Sequence, residues 1–534
     1  MVALSANISR PNQQGCNRAA DNGSKDGAIR VSARARAAVA VFAMVASFAA
    51  AAANYPLELV SPRAAGTAPT AGLAVVPSGH RIFKAYPGLP YNIRAAVSGG
   101  AYPFTFSLTG APPGMAINAS TGEINWPSPA GTTVTPTITV TDSEGARVSS
   151  PWTIAVTTDG FKFVSPNGND ANAGTLAAPW QSMFKVHASS VSSDIIYWRA
   201  GTYTPAGIPR TSVGSAWERA EFGTSKSARW LAYPGERAVI NFGYVSAADP
   251  GAMVRFQANP TYPVYLDDLE AYNFRNIGFQ IISGASDHTI LRRLRMRQMI
   301  QGVDGENPSA VMWTSSYSDS TDYCVVQDSE FYSLNGGGAL KFYSQNRILV
   351  EDNLFRDSSY GFDLKAHVPR FDVRGNTFRN ISNYVLFGNM NTSGSGEPAS
   401  GEIRFNNINT AAGSWTLDIN QDGQAAEIHI YRNTLVGRVR VRNVDSADGV
   451  FRFRNNVIVN NDSGTPAGSH VVFESVADPS RIVITDNLVG NPSSGVVDSS
   501  GALASEFTRF LGTHGHQVGA PPATPNPPTD ATAQ

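Results

Sequence analysis

An asparagine with an apolar residue two places later returns six times between residues 353 and 489. The phrases are Asn353-Leu354-Phe355, Asn376-Thr377-Phe378, Asn406-Asn407-Ile408, Asn433-Thr434-Leu435, Asn456-Val457-Ile458 and Asn487-Leu488-Val489. Successive asparagines stand 23, 30, 27, 23 and 31 residues apart. A period in this range marks a solenoid: one repeat cannot bury its apolar side alone, so coils stack and share a core.

Each phrase is flanked by alternating apolar and polar residues. Ile348-Leu349-Val350 and Phe371-Asp372-Val373 precede it; Gly361-Phe362-Asp363-Leu364-Lys365, Trp415-Thr416-Leu417-Asp418-Ile419 and Val439-Arg440-Val441-Arg442 follow. Such alternation over a few residues is a half-buried strand, too short for an amphipathic helix. Stacked coils bring like strands into parallel register about 4.8 Å apart. The asparagine is expected to take a left-handed turn conformation and to bond its neighbours in a ladder.

A second segment carries the same message. Phe161-Lys-Phe-Val-Ser-Pro-Asn-Gly-Asn-Asp170 leads through Gly174-Thr175 and Ala178-Pro179-Trp180 to Asp194-Ile-Ile-Tyr-Trp-Arg-Ala-Gly-Thr-Tyr203. Together with the repeats it resembles the right-handed parallel β-helix superfamily that contains pectate lyases. The resemblance covers about residues 161–515 and implies an opening strand, a polar turn and a capping helix starting near Pro179-Trp180. From residue 76 to 158, runs such as Tyr91-Asn-Ile-Arg-Ala95 and Thr137-Ile-Thr-Val-Thr-Asp142 alternate between turns like Pro112-Pro113-Gly114. This resembles the Ig-like modules of bacterial surface proteins and predicts a small sandwich acting as a spacer or weak glycan binder. The expected fold is therefore all-β: a right-handed parallel β-helix with a small N-terminal Ig-like β-sandwich.

The remaining segments are read from composition. Arg30, Arg34 and Arg36 precede an apolar run ending in Ala51-Ala52-Ala53, the pattern of a secretory signal over residues 1–53. That implies a secreted, periplasmic or cell-surface protein; a retained anchor is the alternative, although the run is short for a span. Residues 54–75 read as a linker and residues 516–534, with Pro521-Pro522 and Pro527-Pro528, as a disordered tail. Only Cys16 and Cys324 occur, so the mature chain forms no disulfide framework and no cysteine metal site. The net charge of −1 gives no global reason for nucleic acid binding. A monomer is expected, with no membrane span in the mature chain.

The resemblance also implies where a substrate lies: along one parallel sheet, in a trough walled by longer turns. The outward column reads Asp304 and Glu306, Lys341 and Tyr343, Asp363 and Lys365, Leu386 and Gly388, Asp418 and Asn420, Arg440 and Arg442, then Glu474. Residues 304–322 and 389–402 read as long loops beside it, the first with Trp313 and Tyr317 as sugar-stacking aromatics. The Arg292, Arg293, Arg295 and Arg297 cluster reads as a solvated edge.

This set suits β-elimination from a uronate-containing polysaccharide. Lys365 and Lys341, on neighbouring coils about 5 Å apart, disfavour each other's charge and make one a usable base. His367 and Arg370 add positive charge, and Tyr343 or His367 donates the proton to the leaving oxygen. Arg440 and Arg442 grip further carboxylates through their forked donors. The resemblance implies calcium in many members, with Asp363 and Asp418 as the oxygens available here. The alternatives are a non-catalytic polysaccharide-binding surface protein and an inverting hydrolase. The last would use Asp363 and Asp418, about 9.6 Å apart across two coils.

Overall fold

The computed structural model describes residues 53–213, 217–243, 253–257, 259–282, 287–299, 308–314, 321–365, 368–390, 399–421, 425–444, 449–459, 471–490 and 496–498. The signal and tail readings therefore fall essentially outside the described residues, as do His367, Tyr317, Asp304 and Glu306. Each full coil has three faces. Strands of the first face form a 12-stranded sheet, and those of the second and third join around a corner into a 21-stranded sheet. Strands on like faces pair in parallel, as in Ile348↔Phe371 and Leu340↔Phe362. The exception is an antiparallel hairpin of Arg210–Val213 with Trp217–Phe222. The domain is a right-handed parallel β-helix, the hand that parallel crossovers almost always take.

Alternation builds the core. Phe342, Phe362, Leu364, Leu417, Ile419, Val439 and Val441 all point inward and are fully buried. Like residues stack from coil to coil: Phe331 lies 5.2 Å from Phe355, which lies 4.4 Å from Phe378 in near-parallel planes. One continuous cluster runs from Val164 to Ile484. The capping helix is Met183–Ser189, later than the expected start. Trp180 instead bridges to Val164, and Ser182 caps the helix by accepting from the Lys185 N–H at 3.0 Å.

The asparagine ladder is present and unbroken. Nδ2 of Asn353, Asn376, Asn406 and Asn433 each donates at 3.0 Å to Oδ1 of the next, and Asn456 to Asn487 at 2.8 Å. Each Oδ1 also accepts the backbone N–H of the preceding asparagine, as Asn406 does from Asn376 at 3.0 Å. The left-handed residue is not the asparagine but the one before it: Asp352, Gly375, Phe405, Arg432, Asn455 and Asp486, all with φ between 54° and 67°. The turn thus divides two tasks that one residue was expected to perform. The preceding residue reverses the chain and frees the asparagine side chain to lie along the stack.

The sandwich is docked on the helix rather than tethered to it. Its own core includes Ile93, Ile124, Trp126, Ile138 and Trp152. A second apolar cluster joins it to the outward side of the first sheet, through Val60 and Ala96 against Tyr265, Ile290, Val325 and Leu349. Residues 54–75, expected as a linker, lie on the same side. Glu58–Ser61 pairs with Ala96–Ser98, and the Ala74 N–H donates to Asp322 at 2.8 Å. Arg292 is buried between Asp267 and Asn92 of the sandwich, so it is an interface residue and not a solvated edge.

Beside this apolar patch runs a buried ionic chain. Arg94 of the sandwich pairs with Asp328, Asp352 and Glu351. Glu351 pairs with Arg374 at 2.9 Å, Arg374 with Asp372 at 2.6 Å, and Asp372 with Arg404 at 2.7 Å. Arg404 is fully buried and also donates to the carbonyls of Gly99 and Gly100 at 2.9 and 2.8 Å. Buried charges persist only when paired in this way.

Two histidines make the same interface sensitive to acid. His80 contacts the His288 carbonyl through Nε2 at 3.1 Å, and His288 stacks on Tyr323. Burial pushes His80 down to about 3 and His288 to about 4. Both are neutral when folded, whereas the unfolded chain protonates them near 6.5. The stability they hold is full above pH 6.5 and is lost progressively as pH falls from there to the folded values. Denaturant unfolding at pH 4.5 should show a loss of about 2 kcal/mol per histidine relative to pH 7. His288→Gln should remove about half of that dependence and leave the share of His80.

Candidate functional site

The third face carries two outward rows whose members stack coil on coil. In the first row, Lys341 is in register with Asp363; one coil further, through Phe387, comes Asp418, then Arg440. In the second, Tyr343 is in register with Lys365, and beyond Asn389 come Asn420, Arg442 and Glu474. Eight of the residues proposed from sequence therefore share one outward sheet face, that of the expected trough: Lys341, Tyr343, Asp363, Lys365, Asp418, Asn420, Arg440 and Arg442. They face out because their strand neighbours fill the core. Leu386 and Gly388, read as outward between them, are out of these rows, since the register places residues 387 and 389 there and Leu386 is buried in the core.

The electrostatics differ from the expectation. Lys341 does not confront Lys365 alone; its Nζ pairs with Asp363 Oδ2 at 2.8 Å, and both are largely buried. The other oxygen, Asp363 Oδ1, is buried. Lys365 Nζ lies 5.0 Å from the Tyr343 ring centre and Lys341 Nζ 5.8 Å, so one ring sits beneath both ammonium groups. No carboxylate among the described residues pairs with Lys365. The arginines are also engaged. Arg440 grips Asp418 through Nε at 3.0 Å and a terminal nitrogen at 2.5 Å, and Arg442 reaches the same carboxylate at 3.3 Å. The hydrogen bond to Asp418 raises the Arg440 pKa and keeps it charged.

An aromatic row borders the trough and escaped sequence reading. Tyr360, Tyr384, Trp415 and Arg438 occupy equivalent positions on successive coils. Tyr360 and Tyr384 stack at 4.6 Å, and Trp415 lies under Arg438 and Arg440 at 3.8 and 4.6 Å. Burial and the charge of Asp363 drive the Tyr384 pKa far up, so its hydroxyl stays protonated. Strict alternation assigns Trp415 inward with Leu417, but a register shift between them turns the ring to the corner. Aromatics opening three third-face strands in succession were the available signal.

Two proposed residues lie elsewhere. Trp313 is fully buried and stacks on Phe342 at 4.6 Å, because Ser309–Thr314 is a third-face strand and not a loop. Arg370 belongs to the first sheet, where its guanidinium lies 3.3 Å above the Tyr55 ring and burial lowers its pKa. It is on the far side of the coil from Lys365.

Calcium fits poorly. Asp363 and Asp418 are two coils apart, and each is already bound by a cation. Among the described residues no group of three or more His, Cys, Asp or Glu side chains could hold a metal ion. No helix among them is long and apolar enough to cross a membrane.

With the geometry in place, comparison with known proteins adds two things. Residues 74–157 match the family model described as "Putative Ig domain". No curated protein sequence matches the chain. Among solved structures, one titled "Rhamnogalacturonan lyase" is 16% identical with a TM-score of 0.36, covering 64% of this chain and 90% of its own. The pectate lyase Pel9A is 18% identical with a TM-score of 0.31, covering 61% and 78%. The family 28 exopolygalacturonase of Yersinia enterocolitica is 11% identical with a TM-score of 0.33, covering 77% and 98%. At these scores the fold rests on strand register, and the chemistry on the trough.

Proposed function

We propose that this is an exported polysaccharide lyase that cleaves an acidic, uronate-containing glycan by β-elimination in the third-face trough. The observation that carries the reading is Lys365, an amine in the trough that no carboxylate pairs with among the described residues, beside a tyrosine and a second lysine. Elimination needs a base for the proton beside the sugar carboxylate, a cation for that carboxylate and a donor for the leaving oxygen. Lys365, acting as the neutral amine, takes the proton. Lys341, fixed by Asp363, faces the carboxylate. Tyr343, between them, supplies the proton to the leaving oxygen. Tyr360, Tyr384 and Trp415 offer ring faces to sugar rings in neighbouring subsites.

One observation favours a second reading, binding without cleavage. Most trough charges are already paired, as in Lys341–Asp363 and Asp418–Arg440, which suits a rigid recognition surface. The same pairing counts against an inverting hydrolase, because neither Asp363 nor Asp418 is free of a cation.

One assay separates the three. The purified protein, incubated with a panel of uronate polymers, should generate the ultraviolet absorbance of an unsaturated product. Lys365→Ala should lower that rate by roughly 10²–10⁴-fold, the usual contribution of a positioned acid or base. New reducing ends without the absorbance would mean hydrolysis, and binding with neither would mean recognition alone.

A further inference from the structure

The sandwich meets the helix at the corner between the first and second faces. There a cleft of about 600 Å³ opens, lined among others by Tyr102, Phe104, Asp352, Arg379, Phe405 and Asn407. Its size falls within the roughly 300–1,000 Å³ typical of small-molecule sites. It is separate from the trough, since Asp352 and Phe405 belong to the turn that precedes the second face. A Cβ on Gly375, in that same turn column, would stand 2.1 Å from Asp352 Oδ1, so glycine keeps this wall open.

Phe405 is the one aromatic in the turn column of the ladder. The position it holds is left-handed on every ladder coil, where Asp352, Gly375, Arg432, Asn455 and Asp486 are its equivalents. Asn, Asp and Gly tolerate that conformation, whereas a bulky aromatic at φ 57° is strained there. Its ring is only half-buried, 4.9 Å from Tyr102 of the sandwich and beneath Arg432 at 5.5 Å. Strain held in a partly exposed ring at a cleft points to a ligand. Arg379 supplies the charge: it is exposed, and no carboxylate among the described residues pairs with it.

We propose that this cleft binds a carboxylate-bearing saccharide, its C–H face on Tyr102 and Phe405 and its carboxylate on Arg379. The negative faces of aromatic rings attract the weakly positive C–H face of a sugar. A guanidinium fork matches a carboxylate in two hydrogen bonds. The choice of a uronate rests on the reading of the trough; the existence of the site does not. Such a site would hold one stretch of a polymer beside the helix while another crosses the third face.

Calorimetry of the full chain with uronate trisaccharides and with their methyl esters tests this. Binding that prefers the acid should survive in Lys365→Ala. It should weaken at least 10-fold in Arg379→Ala, with loss of preference over the ester, and at least 10-fold in Phe405→Leu, which keeps bulk but removes the ring. No binding by the wild type, equal binding of acid and ester, or unchanged affinity in Arg379→Ala would overturn it. If Lys365→Ala leaves cleavage intact while Arg379→Ala loses binding, the cleft stands and the lyase reading falls.

Discussion

Arg404→Met should destabilise the protein by about 3–5 kcal/mol and loosen the sandwich from the helix. Arg404 is fully buried, pairs with Asp372 and Glu402, accompanies the Tyr431 hydroxyl at 3.1 Å, and bonds two sandwich carbonyls. Its removal leaves Glu402 without its cation and Asp372 with Arg374 alone. Replacing one member of a buried ionic network costs more than the pair itself is worth, because the partner stays desolvated. Denaturant unfolding measures the loss. Limited proteolysis near residue 160 should cut the variant faster than the wild type. An unchanged midpoint and cleavage rate would mean that the sandwich is held by its apolar contacts alone.

Asn406→Ala should cost about 4 kcal/mol. The side chain donates to the Val373 carbonyl at 2.9 Å and to Asn433 at 3.0 Å, and accepts from the Asn376 N–H and amide at 3.0 Å each. Alanine leaves the Val373 carbonyl and the Asn376 N–H without this side chain, at about 1–3 kcal/mol for each group left unsatisfied, whereas Asn433 Oδ1 keeps the Asn406 N–H and the Asn376 amide keeps the Val350 and Arg374 carbonyls. Asn406→Asp should do comparable harm, since a carboxylate accepts but cannot donate to Val373 or Asn433. Equilibrium unfolding checks both. A loss below 1 kcal/mol would mean that water enters the stack and replaces the ladder.

The same residues show what a single sequence can disclose. The ladder was legible because the asparagine must repeat once per coil and nothing else can bond along the stack in that way. It fades upstream, where the equivalent positions are Leu269, Leu294 and Ser329, each following a left-handed Asp268, Arg293 or Asp328. Without the asparagine to mark the coil, Ser309–Thr314 passed for a loop and Trp313 for an exposed ring. Most of the trough was legible because alternation assigns third-face residues to one side, although it set Leu386 outward where residue 387 holds the row. The docking was not, because Arg374 and Arg404 alternate as solvated charges would. Nothing within a strand reveals that residues some 300 positions earlier will cover it. Pairing was hidden for the same reason: Lys341 meets Asp363 only once the coils are stacked.

The central claim is that the third face is the place where a sugar chain lies. It is tested most directly by a crystal structure of Lys365→Ala soaked with an acidic oligosaccharide. The account predicts sugar rings along Tyr343, Tyr384 and Trp415, with one carboxylate near Lys341. An oligosaccharide bound elsewhere, with the third face bare, would contradict it.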